Sequence, residues 1–194
     1  PDLAGKKALV RMNVRASSSA KGEIALSARS FNTNVNHEIA PVYQTVTVRK
    51  GDNPLEMELP MGQNFLTWDE FSPALYRLTA TLKNGKQIET KQVQFGMREF
   101  TINGKWFYVN GRKTMLRGTV ENCDFPLTGY APMDVASWER VFRICRSYGL
   151  NHMRFHSFCP PEAAFIAADL VGFYLQPEGP SWPNHGPKLG NGQP

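Results

Sequence analysis

The chain has 194 residues, a formal net charge of +5, and a composition of 41% apolar, 11% aromatic and 20% charged residues. That balance describes an ordinary globular protein and excludes a disordered one, and no run approaches the roughly 20 apolar residues needed to cross a bilayer. The basic excess is spread evenly, 12 Lys/Arg against 9 Asp/Glu in the first 96 residues and 10 against 8 in the rest, so there is no basic stripe for a nucleic acid.

The chain starts at Pro1 with no charged-then-apolar leader, and is expected to be a piece of something longer. Cys123, Cys145 and Cys159 are odd in number and have no zinc spacing. No cluster of carboxylates or histidines has ligand spacing either, so neither a metal nor a cofactor is expected. With no Asn-x-Ser/Thr sequon, the compartment stays open.

Residues 1–96 read as short alternating strands. Val10, Met12 and Val14 alternate with Arg11, Asn13 and Arg15; Ile24, Leu26 and Ala28 repeat the rhythm. Val46 with Val48, then Leu55, Met57 and Leu59, then Tyr76, Leu78, Ala80 and Leu82, then Val93 with Phe95 continue it. Period-two apolarity means one buried and one wet face, as in antiparallel sheets. Lys21-Gly22, Gly51-Asp52-Asn53-Pro54 and Asn84-Gly85 supply turn signals. Six or seven strands in this length predict an immunoglobulin-like sandwich, read as a scaffold or spacer because it offers a lone histidine, His37, and its acids are expected among solvent-facing positions.

From residue 97 the rhythm changes. Asn103-Gly104 and Asn110-Gly111 flank "KWFYV" and predict a small hairpin ladder. "MLRGTV" (115–120) reads as a strand. Asp134 can cap a helix with Val135, Trp138, Val141, Phe142, Cys145 and Tyr148 on its apolar side, ended by Gly149. "HMRFHS" (152–157) is the next strand. A helix opened by Pro160 and Pro161 and ended by Gly172 follows it, and "FYLQPE" (173–178) is the third strand. Strand, helix, strand, helix, strand with tight connections calls for a parallel sheet. Met153 and Phe155 would face the helices, and His152, Arg154 and His156 the other way. Phe173 and Leu175 would oppose Tyr174, Gln176 and Glu178 in the same manner. Successive parallel strands that end in ionisable residues suit an open mouth, as at the carboxyl ends of strands in a (β/α)₈ barrel. Arg154, His156 and Glu178 fall there, as do Glu121 and Asn122 after the first strand. The alternative is a merely structural Arg154–Glu178 ion pair.

"FGMREFTINGKWFYVNGRKTMLRGT", then "GLNHMRFHSFCPPEAAFIAADLVGFYLQPE", with "FSPALY" (71–76) before them, resembles glycoside hydrolase family 2, the β-galactosidase, β-glucuronidase and β-mannosidase group. The resemblance covers roughly residues 65–182. It implies an immunoglobulin-like domain, residues 1–96, followed by the first βα units of an incomplete TIM (β/α)₈ barrel, residues 97–194. It further implies a retaining exo-glycosidase whose two catalytic glutamates stand ~5–5.5 Å apart. Those glutamates lie on later strands in the family, the acid/base after an asparagine, and this sequence contains no Asn-Glu dipeptide. No catalytic residue is therefore expected here, and the fragment should be inert.

Arg154 matches the family's second-strand arginine. The family's substrate-binding histidine falls three positions later, at Ser157, while His156 lies one residue earlier; either could face the sugar, the latter through a strand bulge. Glu121, Asn122 and Asp124 stand where the family has N-x-H-E-like residues. Trp182 could stack on a pyranose or pack beneath its loop. A carbohydrate is the implied partner, with self-association through unpaired strand edges a further expectation; a periplasmic or secreted setting is the one the resemblance favours. The competing reading is a non-catalytic carbohydrate-binding or interaction module built on the sandwich.

Overall fold

The computed structural model describes residues 1–179 and divides into two compact units, Pro1–Lys113 and one starting at Thr114. In the first, β1 (Lys7–Ala16) pairs antiparallel with β4 (Gly51–Pro60). A four-stranded antiparallel sheet runs in the order β3 (Glu38–Val48), β2 (Ala20–Phe31), β5 (Leu75–Asn84), β6 (Gln87–Phe95). The alternation read from the sequence decides what meets between the sheets. Ala8, Met57 and Leu59 from the two-stranded sheet share one core with Ile24, Leu26, Ala28, Val46, Val48 and Leu78 from the other. Val93, on the inward side of β6, is half exposed, because two strands cannot cover four. A short sheet of β7 (Phe100–Asn103), β8 (Trp106–Val109) and β9 (Arg112–Thr114) follows. There the Asn110-Gly111 turn takes the positive φ of 52° and 74° that such a tight reversal needs.

Two expected turns are strand instead. Lys21-Gly22 lies inside β2, where a side chain at Gly22 would come within 2.9 Å of the Lys83 carbonyl oxygen. This glycine marks close backbone approach between β2 and β5, which a sequence cannot distinguish from a turn. Gly51 to Pro54 opens β4, and the reversal falls on Arg49 and Lys50 just before it. Asn53 holds that reversal with its side chain, accepting from the Arg49 N–H at 2.8 Å and donating to the Arg49 carbonyl at 2.8 Å.

Tyr76 fastens the first core. Its hydroxyl accepts from the Leu66 N–H at 2.8 Å and bonds His37 Nδ1 at 2.7 Å. The ring is fully buried and stacks on Phe95. Burial pushes the phenol above its ordinary value, with the Leu66 N–H acting in the opposite direction.

The second unit is a parallel sheet in the order β10 (Gly118–Glu121), β11 (His152–Phe155), β12 (Tyr174–Pro177), with α1 (Val135–Ser147) and α2 (Glu162–Val171) as the crossovers. Asp134 caps α1 by accepting from the Ser137 N–H at 2.8 Å. Gly172 ends α2 at φ 76°, a conformation that costs other residues steric strain. Trp138 and Phe142 of α1 meet Met153 and Phe155 of β11, Phe173, and the alanines of α2 in one core. Asn151, 2% exposed, gathers the lower strand ends. Its Oδ1 accepts from the Arg117 N–H at 2.7 Å, its Nδ2 donates to the Met115 carbonyl at 3.0 Å, and its own carbonyl accepts from the Tyr174 N–H.

Removing the hydroxyl in Tyr76→Phe leaves a backbone donor short of its partner and should cost about 1–3 kcal/mol in urea unfolding. Asn151→Ala strips partners from two backbone groups and should cost roughly 2–3 kcal/mol, read as faster amide exchange in β10–β12 with β1–β6 unchanged.

Candidate functional site

On β11 the side chains divide by parity. Met153 and Phe155 are buried among the helices, whereas His152 and Arg154 stand half-buried on the other face. Pairing places Val120 and Gln176 beside Arg154, and Gly118 and Tyr174 beside His152. Gly118 makes room for the imidazole: a Cβ there would lie 2.4 Å from His152 Nδ1. Burial pushes His152 below its ordinary value, partly offset by a hydrogen bond with Gln176, so the ring is neutral near pH 7. Gln176 thus belongs to this polar face along with the residues singled out from the sequence. Its alternation with Tyr174 and Glu178 carried that signal.

The strand stops at Phe155, sooner than its sequence pattern suggests, and the chain turns through Ser157 at φ 63°. β11 has no bulge, and His156 lies in the turn that follows it. The His156 N–H donates to the Glu121 carbonyl at 2.8 Å, joining the upper ends of β10 and β11. Glu178 performs the equivalent task from β12. Its Oε1 accepts from Arg154 Nε at 2.6 Å, its Oε2 accepts from the Ser157 N–H at 2.9 Å, and its own N–H donates to the Phe158 carbonyl at 3.2 Å. The Arg154 hydrogen bond first, then the Ser157 N–H, hold the Glu178 carboxyl below its ordinary value; the charges of Arg154 and His156 act in the same direction.

These contacts set the chemistry open to each group. With one carboxylate oxygen on Arg154 and the other on Ser157, Glu178 is an ionised clamp and no proton donor. Arg154 is engaged through Nε, which leaves its terminal nitrogens out of this contact. Its side chain is 39% exposed and that of Glu178 30%, so the pair is open to water. Ser157 contributes its backbone N–H to the clamp.

The remaining candidates sit differently. Glu121 is in register with Phe155, on the helix side, and its Oε1 accepts from the Asp124 N–H at 3.2 Å. That bond closes the turn in which Cys123 adopts φ 61°. Val120 takes the place beside Arg154 instead. Asn122 is exposed in the same loop and is not brought to the Arg154–Glu178 pair. Trp182 lies outside the described residues. Among the described residues no three His, Cys, Asp or Glu side chains gather as metal ligands would. An open groove along α1, past Val135, Glu139 and Arg143, contains none of these candidates.

The sequence profile of the family described as "Glycosyl hydrolases family 2" matches residues 1–98. A β-galactosidase from Thermoanaerobacter pseudethanolicus is 32% identical over 127 residues, 63% of this chain and 17% of that protein. A putative β-glucuronidase from Formosa agariphila is also 32% identical over 127 residues, 64% of this chain and 15% of that protein. The chain therefore spans less than a fifth of either curated relative. Among solved structures, a glycosyl hydrolase family 2 member from Bacteroides cellulosilyticus superposes with a TM-score of 0.74 at 22% identity, over 90% of this chain and 24% of that one. Bacteroides uniformis β-glucuronidase 2, covalently bound to cyclophellitol-6-carboxylate aziridine, gives 0.71 at 19% identity over 88% and 21%. At these identities the likeness is one of fold.

A carboxyl whose folded value is depressed stabilises the fold at pH above its unfolded value, and that stabilisation is lost as pH falls through the folded value. For Glu178 the contribution is thus complete above the ordinary 4.5 and fades below it. The Ser157 amide resonance should follow that titration below pH 4.5, and the dependence should vanish in Glu178→Gln.

Proposed function

Because the chain belongs to glycosyl hydrolases family 2, we propose that it is the piece of a retaining exo-acting β-glycosidase that carries the immunoglobulin-like domain and the opening βα units of a (β/α)₈ barrel. The parent hydrolyses terminal β-linked sugars of the galactoside or glucuronide type by a two-glutamate mechanism. One carboxyl protonates the leaving oxygen and later activates water; the other attacks the anomeric carbon and forms the glycosyl-enzyme. Both belong to later strands, so the role of this segment is to shape one wall of the sugar site. The supporting observation is that Arg154, Glu178 and the Ser157 N–H converge at the carboxyl ends of neighbouring parallel strands, where barrel enzymes build their sites.

In this reading Arg154 is the ligand-facing group. The Glu178 carboxylate on its Nε fixes the plane of the guanidinium, so its terminal nitrogens approach sugar hydroxyls or a catalytic carboxylate in one orientation. His156 lies on the same rim, near enough for its charge to act on Glu178. The edges of β10 and β12 away from β11 are free among the described residues, and later strands of the parent, or a second copy of this chain, would pair with them.

Residues 1–194 should release no nitrophenol from nitrophenyl β-galactoside or β-glucuronide, while a longer chain with the remaining strands should turn over at least one of them. Turnover by the short piece would overturn the assignment of both carboxylates to later strands. Silence of the longer chain toward every β-glycoside tried would overturn the glycosidase reading and favour a binding module.

A further inference from the structure

The four-stranded sheet of the first unit buries one face and presents the other to solvent. Directly opposed residues of an antiparallel pair share a face, so the pairing fixes what lies outside. Tyr43, Ala25, Thr81 and Thr90 form one row across all four strands. Ser27 and Thr79 stand in the next, where β3 shifts register and leaves Ser27 without a direct partner on that side. Glu38, Arg29, Arg77 and Gln94 form the row beyond.

Two features of this face have no account in the fold. Arg29 and Arg77 oppose each other directly on neighbouring strands, a placement in which like charges repel. Their neighbours orient them without neutralising them: Arg77 lies 4.9 Å over the Phe31 ring, and Arg29 Nε reaches Asn36 Oδ1 at 3.4 Å. Among the described residues neither makes an ion pair, although Glu38 flanks Arg29. The second feature is Tyr43, 64% exposed on a sheet face next to Ala25. With strands about 4.8 Å apart, Ala25 makes a shallow trough between the phenol and Thr81.

We propose that this outer face binds an acidic saccharide, a chain of uronate residues, with one carboxylate between Arg29 and Arg77 and a pyranose ring lying in the Ala25 trough against Tyr43. The two positions are two rows apart, about 13 Å along the strands, so the ligand is an oligosaccharide. An anion between the arginines turns their repulsion into two charge-assisted hydrogen-bonding edges. Ser27 and Thr79 line the path with hydroxyls small enough to let a ring approach the sheet. The phenol supplies the apolar surface that the C–H side of a sugar ring seeks while its hydroxyl stays in water. The face carries Lys21, Arg29, Arg77 and Lys83 against Glu23 and Glu38, an excess too small for the phosphate track of a nucleic acid. This surface lies in the sandwich and is independent of the Arg154 site.

The test is calorimetric titration of residues 1–194 with oligogalacturonate, a neutral galactan oligomer and polyglutamate. Oligogalacturonate should bind, weakening with added salt, and the other two should not. Arg29→Gln, Arg77→Gln and Tyr43→Ala should each weaken binding by roughly tenfold or more, whereas Lys50→Gln, an exposed charge off this face, should leave it unchanged. Arg29→Gln relieves a like-charge contact and should melt no lower than the unmutated chain. Equal binding of polyglutamate, or an equal loss in Lys50→Gln, would reduce the effect to net charge and overturn the proposal. So would an absence of binding. Amide shifts in the unmutated chain give a second reading: oligogalacturonate should move Ser27, Tyr43 and Thr79, and shifts confined to other residues would contradict the assignment.

Discussion

The carboxylate of Glu178 joins what the sequence separates. It arrives one residue after β12 and receives two donors from the end of β11, the Arg154 side chain and the Ser157 backbone. Each parallel strand in this unit is only four residues long, so ladder hydrogen bonds alone give little hold on the upper ends. The clamp supplies that hold at one junction, and the His156 N–H to the Glu121 carbonyl supplies it at the other. A charged acceptor makes hydrogen bonds about twice as strong as a neutral one. That is why a single half-buried side chain can organise a turn containing a left-handed serine. Asn151 performs the corresponding task at the lower ends, with a neutral amide in a nearly dry setting.

The two ends of the sheet therefore follow different rules. At the lower end Asn151 is buried and its amide is satisfied internally, the arrangement expected of a part that only has to stay folded. The upper end keeps its charges partly in water, where the proposed sugar site would use the terminal nitrogens of Arg154. A merely structural ion pair has no need of an open rim with a second basic residue, His156, beside it. Family membership and the position of the pair together favour a role in holding a sugar or the carboxylates that act on it.

Much of this was legible from alternation alone. The six strands of the sandwich appear where apolar residues recur every second position, since only burial of one face explains that rhythm. The helices follow from Asp134, from Pro160 and Pro161, and from the stopping glycines. Glycines in extended segments misled: Gly22 serves close packing of β2 on β5 and Gly51 opens a strand, and neither use leaves a local trace distinct from a turn. Arg154 and Glu178 were readable as neighbours because strands in tight succession pair in parallel. The facing of Glu121 was not, because it turns on register: a shift of one residue sends a side chain to the opposite face, and Val120 is the β10 residue that pairs with Arg154. Asn151 also escaped notice, since an asparagine before a strand resembles any loop residue until its carboxamide is seen bridging two backbone groups.

Glu178 is proposed to act through Arg154 in the sugar site of the longer enzyme. A double-mutant cycle on the longer chain tests this most directly, with kcat/KM measured for Arg154→Ala, Glu178→Gln and the pair, and thermal unfolding followed alongside. Clamp and donor acting as one unit predict that the double variant loses no more than Arg154→Ala alone. Losses that multiply, or full activity in Arg154→Ala, would contradict it.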